Sequence, residues 1–485
     1  MGELARNEGL RRVRMRLFTA VIVVFTLTCS GSFGMEDVVS ESGPGFTLLM
    51  IVLLPLIWSV PMALVSSEVG SMVPEAGGLY RWIRRGLGEY WSFQGGWWWT
   101  LSLWVDSAVY VALALGYVQT KLDLTDLQRW LVGAAIVAVF TFINIRGLDL
   151  TGKALTVIQV IVLVPFLALV VLGVLRGEGS PASPFLPTGL NVWESLGLGL
   201  AILMWMYSGY ESMSTLAGEV ENPQRLIPRA VLIAVPLVIL TYFVTVLAGI
   251  MASGAGGWEV MVSDASEGGI DFVVAAENVG GALLAWALFA SAIASNVGLY
   301  AGYLATGSRP SFQMSRDRLF PRFFGRTHRS WGTPWVAILV MGAINLGLIA
   351  FGFDTLIVID VFLLMFSYML IFITSIVLRV KEPDAPRAFR VPLPTWALAA
   401  WLVLPFGIAV LALFTNGADY LVGGLVGILS GPIAYLVFKS IYKGTKDEAL
   451  EGVELELAGS GALAGGATID AGPAPAGAGR REGGT

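Results

Sequence analysis

Twelve stretches of this chain are each apolar over about the 20 residues that a helix needs to cross roughly 30 Å of hydrocarbon. They fall near residues 16–40, 46–71, 91–119, 128–145, 154–175, 192–220, 227–252, 276–307, 334–352, 355–379, 395–415 and 418–440. Few folds are open to such a chain. Lipid offers no partner to backbone N–H and C=O groups, so each span has to be a helix packed among other helices. With 56% hydrophobic residues and only 13% charged, the chain is far from the balance of a soluble domain. The expectation is an all-α polytopic membrane protein. Pro55 and Pro61 in the second span are expected to kink that helix without cutting it.

Lysine and arginine collect in cytoplasmic segments. All but three of the 30 basic residues lie in the N-terminal segment, the even-numbered loops and the C-terminal segment. The exceptions, Lys121, Arg129 and Arg176, share the opposite side with Asp123, Asp126, Glu178, Asp264, Glu267, Asp271, Asp354 and Asp419. Both termini are therefore expected in the cytoplasm. Residues 1–15 form an N-terminal segment, 16–441 the twelve-helix domain, and 442–485 a Gly- and Ala-rich tail expected to be disordered. Arg11 to Arg16 ahead of Leu17–Thr28 have the look of a signal peptide, but the many later spans make this a retained first span. Residues 308–333, rich in arginine, read as a connector lying on anionic headgroups.

Two of the spans are interrupted. Ser30-Gly31-Ser32-Phe33-Gly34-Met35-Glu36 breaks the first and Tyr207-Ser208-Gly209-Tyr210-Glu211 the sixth. Irregular backbone at membrane depth survives only where protein or a watery cavity satisfies it, and a matched pair in two halves points to the substrate site of a secondary transporter. Gly209 is expected to give substrate close access to backbone carbonyls, so that a bulky residue there stops transport while sparing the fold. A single cysteine, Cys29, and a single histidine, His328, exclude an internal disulfide and leave little from which to build a zinc or iron centre. No nucleotide loop, metal cluster or nucleophilic triad occurs. Enzyme chemistry, a cofactor, a bound metal and a nucleic-acid partner are accordingly not expected.

The run Ser208-Gly209-Tyr210-Glu211-Ser212-Met213-Ser214-Thr215-Leu216-Ala217-Gly218-Glu219-Val220-Glu221-Asn222-Pro223 resembles the sixth-helix signature of the amino acid, polyamine and organocation (APC) transporter superfamily. Further agreement comes from Gly34-Met35-Glu36-Asp37-Val38, Pro74-Glu75-Ala76-Gly77-Gly78, Val105-Asp106-Ser107-Ala108-Val109-Tyr110 and Met314-Ser315-Arg316-Asp317-Arg318. Within the superfamily the chain is most similar to the polyamine permeases of plants and trypanosomatids, neighbours of the L-type amino acid transporters. The resemblance implies a five-plus-five inverted-repeat (LeuT-like) core with helices 1 and 6 broken and helices 11 and 12 peripheral. It also implies a multi-pass protein of the plasma membrane that moves amino acids or polyamines. In the family, the first break, here Ser30, Gly31, Ser32, Phe33 and Gly34, cradles a substrate carboxylate. Carbonyls of the second, here Trp205 to Gly209, take the amine.

Four acids lie at membrane depth, where an ionisable group is a functional candidate by default. Glu211 follows the second break directly and is a candidate for holding a substrate ammonium, carrying a coupled proton or locking the broken backbone. Asp106 resembles the helix-3 acid of the polyamine permeases and is a candidate for cation binding or for a satisfied buried group. Glu36 reads as a solvated acid of an outer vestibule, and Glu68 as a gate or cap near the cytoplasmic end. Tyr207 and Tyr210 could close over a substrate or stack on an ammonium. The expected substrate set is thus Ser30, Gly31, Ser32, Phe33, Gly34, Asp106, Trp205, Tyr207, Ser208, Gly209, Tyr210 and Glu211, with Glu211 and Asp106 as the proton-coupling candidates. Proton coupling is favoured, and sodium, held by first-break carbonyls with Ser291 and Ser295, stays open. Some relatives place a lysine in helix 5 that substitutes for sodium; here Lys153 lies at its mouth and Ile158 to Leu175 contain none. An exchanger, or a transport-inactive nutrient sensor on the same fold, are the alternatives, and a partner subunit is not legible.

Overall fold

A computed structural model of the chain describes residues 10–119, 121–181, 183–186, 189, 191–253, 271–351, 353–415 and 418–442. The tail expected beyond residue 442 and the first nine residues lie outside these. The elements, in chain order, are α1 (Leu17–Thr28), α2 (Met35–Ser42), α3 (Pro44–Ile57), α4 (Ser59–Met72), α5 (Leu79–Leu87), α6 (Glu89–Gln119), α7 (Asp126–Arg146) and α8 (Leu148–Arg176). Then follow α9 (Val192–Met206), a 3₁₀ segment (Ser212–Glu219), α10 (Pro223–Ala252), α11 (Asp271–Arg316), α12 (Trp335–Leu348), α13 (Phe353–Lys381), α14 (Thr395–Thr415) and α15 (Ala418–Tyr442). Among the described residues eight helical stretches are long and apolar enough to cross a membrane, and Leu17–Thr28, Trp335–Leu348 and Thr395–Leu411 are shorter apolar helices.

Both expected breaks are present, and each follows from local backbone chemistry. Between α1 and α2, Ser30, Gly31 and Gly34 take φ of 43°, 112° and 98°. Glycine visits that left-handed region at little cost, and no helix can run through it. Between α9 and the 3₁₀ segment, Gly209 does the same with φ 106°. The second span is kinked at Trp58, where α3 hands over to α4, because Pro61 lacks the N–H that would bond Ile57. The length of α11 was not legible. It runs to Arg316, with a sharp bend at Gly281 (φ 67°).

Helix α11 packs on α6 and α8, and α6 also on α13, as a scaffold, and α1, α4, α9, α10 and the 3₁₀ segment pack around the breaks. At the arginine-rich end, residues 11–13 lie extended across the bundle. The Arg11 N–H donates to Gly332 O (3.1 Å), the Val13 N–H to Glu219 O (2.8 Å), and the Glu221 N–H to Val13 O (3.2 Å).

The reading of residues 308–333 as a headgroup-bound connector needs correction at its start. Arg309 is buried, its Nε and Nη2 bonded to Glu219 at 2.8 and 3.0 Å. Asp317 is buried too, under Arg81, Arg84 and Tyr80. Continuation of α11 carries these residues into the protein, and Arg316, Arg318, Arg322, Arg326 and Arg329 are the exposed ones.

A candidate binding site at the helix breaks

Leaving the helix at Cys29 frees backbone groups, and three of the carbonyls are met by hydroxyls from neighbouring helices. Tyr303 Oη donates to Leu27 O (2.9 Å), and Ser295 Oγ to Ser30 O (2.5 Å). The Tyr242 hydroxyl lies 3.0 Å from both Thr28 O and Met206 O, joining the two breaks through a single proton that serves one carbonyl at a time. Ser32 and Thr245 share a short hydroxyl contact. Glu36 is not a solvated vestibule acid. It is buried, and its Oε2 accepts the Gly34 N–H at 2.6 Å, closing the start of α2 where an acid also suits the helix dipole. Among the described residues the N–H groups of Gly31, Ser32 and Phe33 meet no protein acceptor.

The second break is held from the kink in the second span. Trp58 Nε1 donates to Met204 O (3.0 Å) and Ser59 Oγ to Tyr207 O (3.1 Å). The Ser208 N–H bonds to Trp205 O, and the Ser212 N–H to Gly209 O. Of the carbonyls from Trp205 to Gly209, that of Ser208 alone meets no donor among the described residues. The Ser208 hydroxyl donates to Met204 O. Gly209 is tighter than the sequence suggests: a Cβ there would sit 2.5 Å from Leu27 O and 2.8 Å from Tyr303 Oη. The glycine therefore serves helix packing, and a bulky residue is expected to damage the fold along with any transport.

Glu211 is buried with Ser212 Oγ 3.2 Å from its Oε1, and among the described residues its Oε2 has no hydrogen-bond partner. The Tyr368 hydroxyl accepts the Gly209 N–H at 3.2 Å and lies beside the Glu211 carboxylate. Asp106 accepts from the Trp205 indole at 3.0 Å. That indole stacks on Tyr110, 5.5 Å between centroids, and Tyr110 in turn meets Tyr303. A third acid, Asp360, escaped the sequence reading. It is buried, bonded by Ser102 Oγ at 2.5 Å, and close enough to Asp106 for the two charges to interact. Its signal in the sequence is an Asp inside an apolar span. Glu68 forms a closed node instead, with Arg379 Nε and Nη2 at 2.8 and 2.5 Å and the Val391 N–H at 2.8 Å.

Between the breaks lies a cavity of about 10 Å³, room for about one water. Its wall includes Cys29, Phe33, Tyr110, Trp205, Tyr242 and Asn296. Of the expected set, Phe33 and Trp205 reach this wall. Phe33 also packs on Phe166, 4.9 Å between centroids. Tyr207 turns away, donating to Ile51 O at 2.8 Å, so it does not face the cavity. Tyr210 is fully buried, and among the described residues its hydroxyl has no hydrogen-bond partner. Of the proposed sodium hydroxyls, Ser291 donates to Ile161 and Ala287 carbonyls and Ser295 to Ser30 O. Among the described residues no three His, Cys, Asp or Glu side chains converge as a metal would require.

A bundle of apolar helices enclosing irregular, hydroxyl-bonded backbone and buried acids defines a multi-pass membrane protein. The profile of the amino acid permease family matches residues 15–433, and the chain belongs to that family, one of transporters and not enzymes. It is similar to the polyamine transporter PUT1 of Oryza sativa subsp. japonica, with 35% identity over 81% of this chain and 73% of the relative. The polyamine transporter RMV1 of Arabidopsis thaliana is 30% identical over 89% of this chain and 86% of its own length. The serine/threonine exchanger SteT of Bacillus subtilis is 26% identical over 88% and 97%.

Proposed function

We propose that this protein is a secondary active transporter of amino acids or polyamines, working by alternating access and coupled to protons. We read it as twelve spans in a five-plus-five inverted-repeat core of the plasma membrane, both termini cytoplasmic. Packing of α6 against α11, the third and eighth spans in this reading, supports the repeat. The observation that carries the function is the pairing of two unmet groups at the breaks. Gly31, Ser32 and Phe33 present N–H groups suited to a carboxylate, and buried Glu211 holds an oxygen without a partner among the described residues.

Substrate-binding roles fall to Ser30 through Gly34 at the first break and to Trp205, Ser208, Tyr210 and Glu211 at the second, with the Ser208 carbonyl as the amine acceptor there. Asp106, Glu211 and Asp360 favour substrates with more than one ammonium, as the plant relatives' names suggest. The Bacillus relative's name favours exchange of amino acids as the second reading.

The test is uptake by the purified protein in proteoliposomes, with a labelled diamine and a labelled amino acid under an imposed pH gradient. Glu211→Gln keeps the shape and removes the titration. It is expected to abolish gradient-driven accumulation and to keep substrate exchange. Accumulation at the parental rate in that variant would exclude Glu211 as the coupling group. Loss of binding as well would make it the ammonium site and leave Asp106 for the proton. A parent protein that binds substrate without moving it would favour a nutrient sensor.

A further inference from the structure

The extended N-terminal segment and the start of α10 enclose a cleft of about 580 Å³ lined by Arg14, Arg225 and Arg229 with Leu17, Leu226 and Glu221. Among the described residues none of the three arginines forms an ion pair, though each is exposed and free to move toward one. Glu221 is the opposing charge in the cleft, so the net balance is strongly positive. The cleft abuts the first turn of the 30-residue α10, whose N-terminus adds partial positive charge.

Position decides what anion this suits. Arg225 and Arg229 lie on the same side of α10 as Ile233, Leu237 and Leu240, all exposed apolar residues, and α1 beside it exposes Leu17 and Phe18. A charged pocket thus opens directly onto a continuous apolar stripe. A soluble anion would use the pocket and leave the stripe unused. A phospholipid uses both, its phosphate forked by guanidinium groups and its acyl chain along α10. We infer that this cleft is a binding site for the headgroup of an anionic phospholipid, bridging the N-terminal segment to α10.

The experiment is native mass spectrometry of the full-length protein titrated with phosphatidylglycerol, phosphatidylcholine or inorganic phosphate. Phosphatidylglycerol is expected to be retained selectively. R225Q/R229Q is expected to weaken that retention about thirtyfold, given what each basic residue near a surface contributes, while R322Q/R326Q, exposed arginines elsewhere, leaves it unchanged. R225K/R229K keeps the charge that orients the membrane span but not the fork, and is expected to lose retention to a smaller degree. Equal binding of phosphatidylcholine, or equal loss in the R322Q/R326Q control, overturns the site. Inorganic phosphate bound as tightly as the lipid would overturn the lipid assignment in favour of a free anion.

Discussion

Gly209 cannot carry even a methyl group without meeting the Leu27 carbonyl, and its φ of 106° is one that other residues adopt only under strain. Strained backbone of this kind costs about 1–3 kcal/mol. Gly209→Ala is therefore expected to lower the thermal unfolding midpoint of the purified protein measurably, and Gly209→Leu to give little folded protein; an unshifted midpoint for the alanine variant would contradict the close packing of the breaks. The Arg309–Glu219 pair makes a second case at this scale. With both side chains buried, deleting one partner leaves an uncompensated charge, so Glu219→Ala should cost about 3–5 kcal/mol while an apolar replacement of both costs less. Thermal unfolding of the two single variants and the double variant checks this, and additive losses would count against a coupled pair.

Among the elements, the first and sixth spans are defined less by where they are helical than by who holds their breaks. Tyr242, Tyr303, Tyr368, Ser295 and Ser59 come from four other helices and Trp58 from the turn between α3 and α4, and each donates to or accepts from freed backbone. The N-terminal segment does the same for the far end of the sixth span, where Val13 and Glu219 to Glu221 pair like strands. Val13→Pro removes the N–H that reaches Glu219. It should speed amide hydrogen exchange across residues 212–221 while leaving α6 and α8 unaffected, and unchanged exchange in 212–221 would show that the segment merely rests there.

Over the whole molecule, ion pairs at the arginine-rich end tie loops to helices. Arg85 bonds Glu382 through Nε (3.0 Å) and Nη2 (2.6 Å), and this holds the carboxyl below the ordinary glutamate range. A lowered folded value means the pair stabilises above the unfolded glutamate range and stops doing so as the pH falls through the folded one. Both groups are partly exposed, so the contribution is at most about 1 kcal/mol. Glu382→Gln should lower the unfolding midpoint slightly at pH 7, and the gap to the parent should close in acid; a gap that persists at low pH would assign the effect to packing. What could be read from residues alone was the membrane class, the place of both breaks, the kink at the second span's prolines and the family, because apolar length and glycine conformation act locally. Partners could not be read. Glu36 capping Gly34, Tyr207 facing Ile51, Asp360 beside Asp106 and Arg309 inside the protein all join residues whose proximity or orientation is set by how helices pack. A buried polar group must take whatever partner that packing brings within reach.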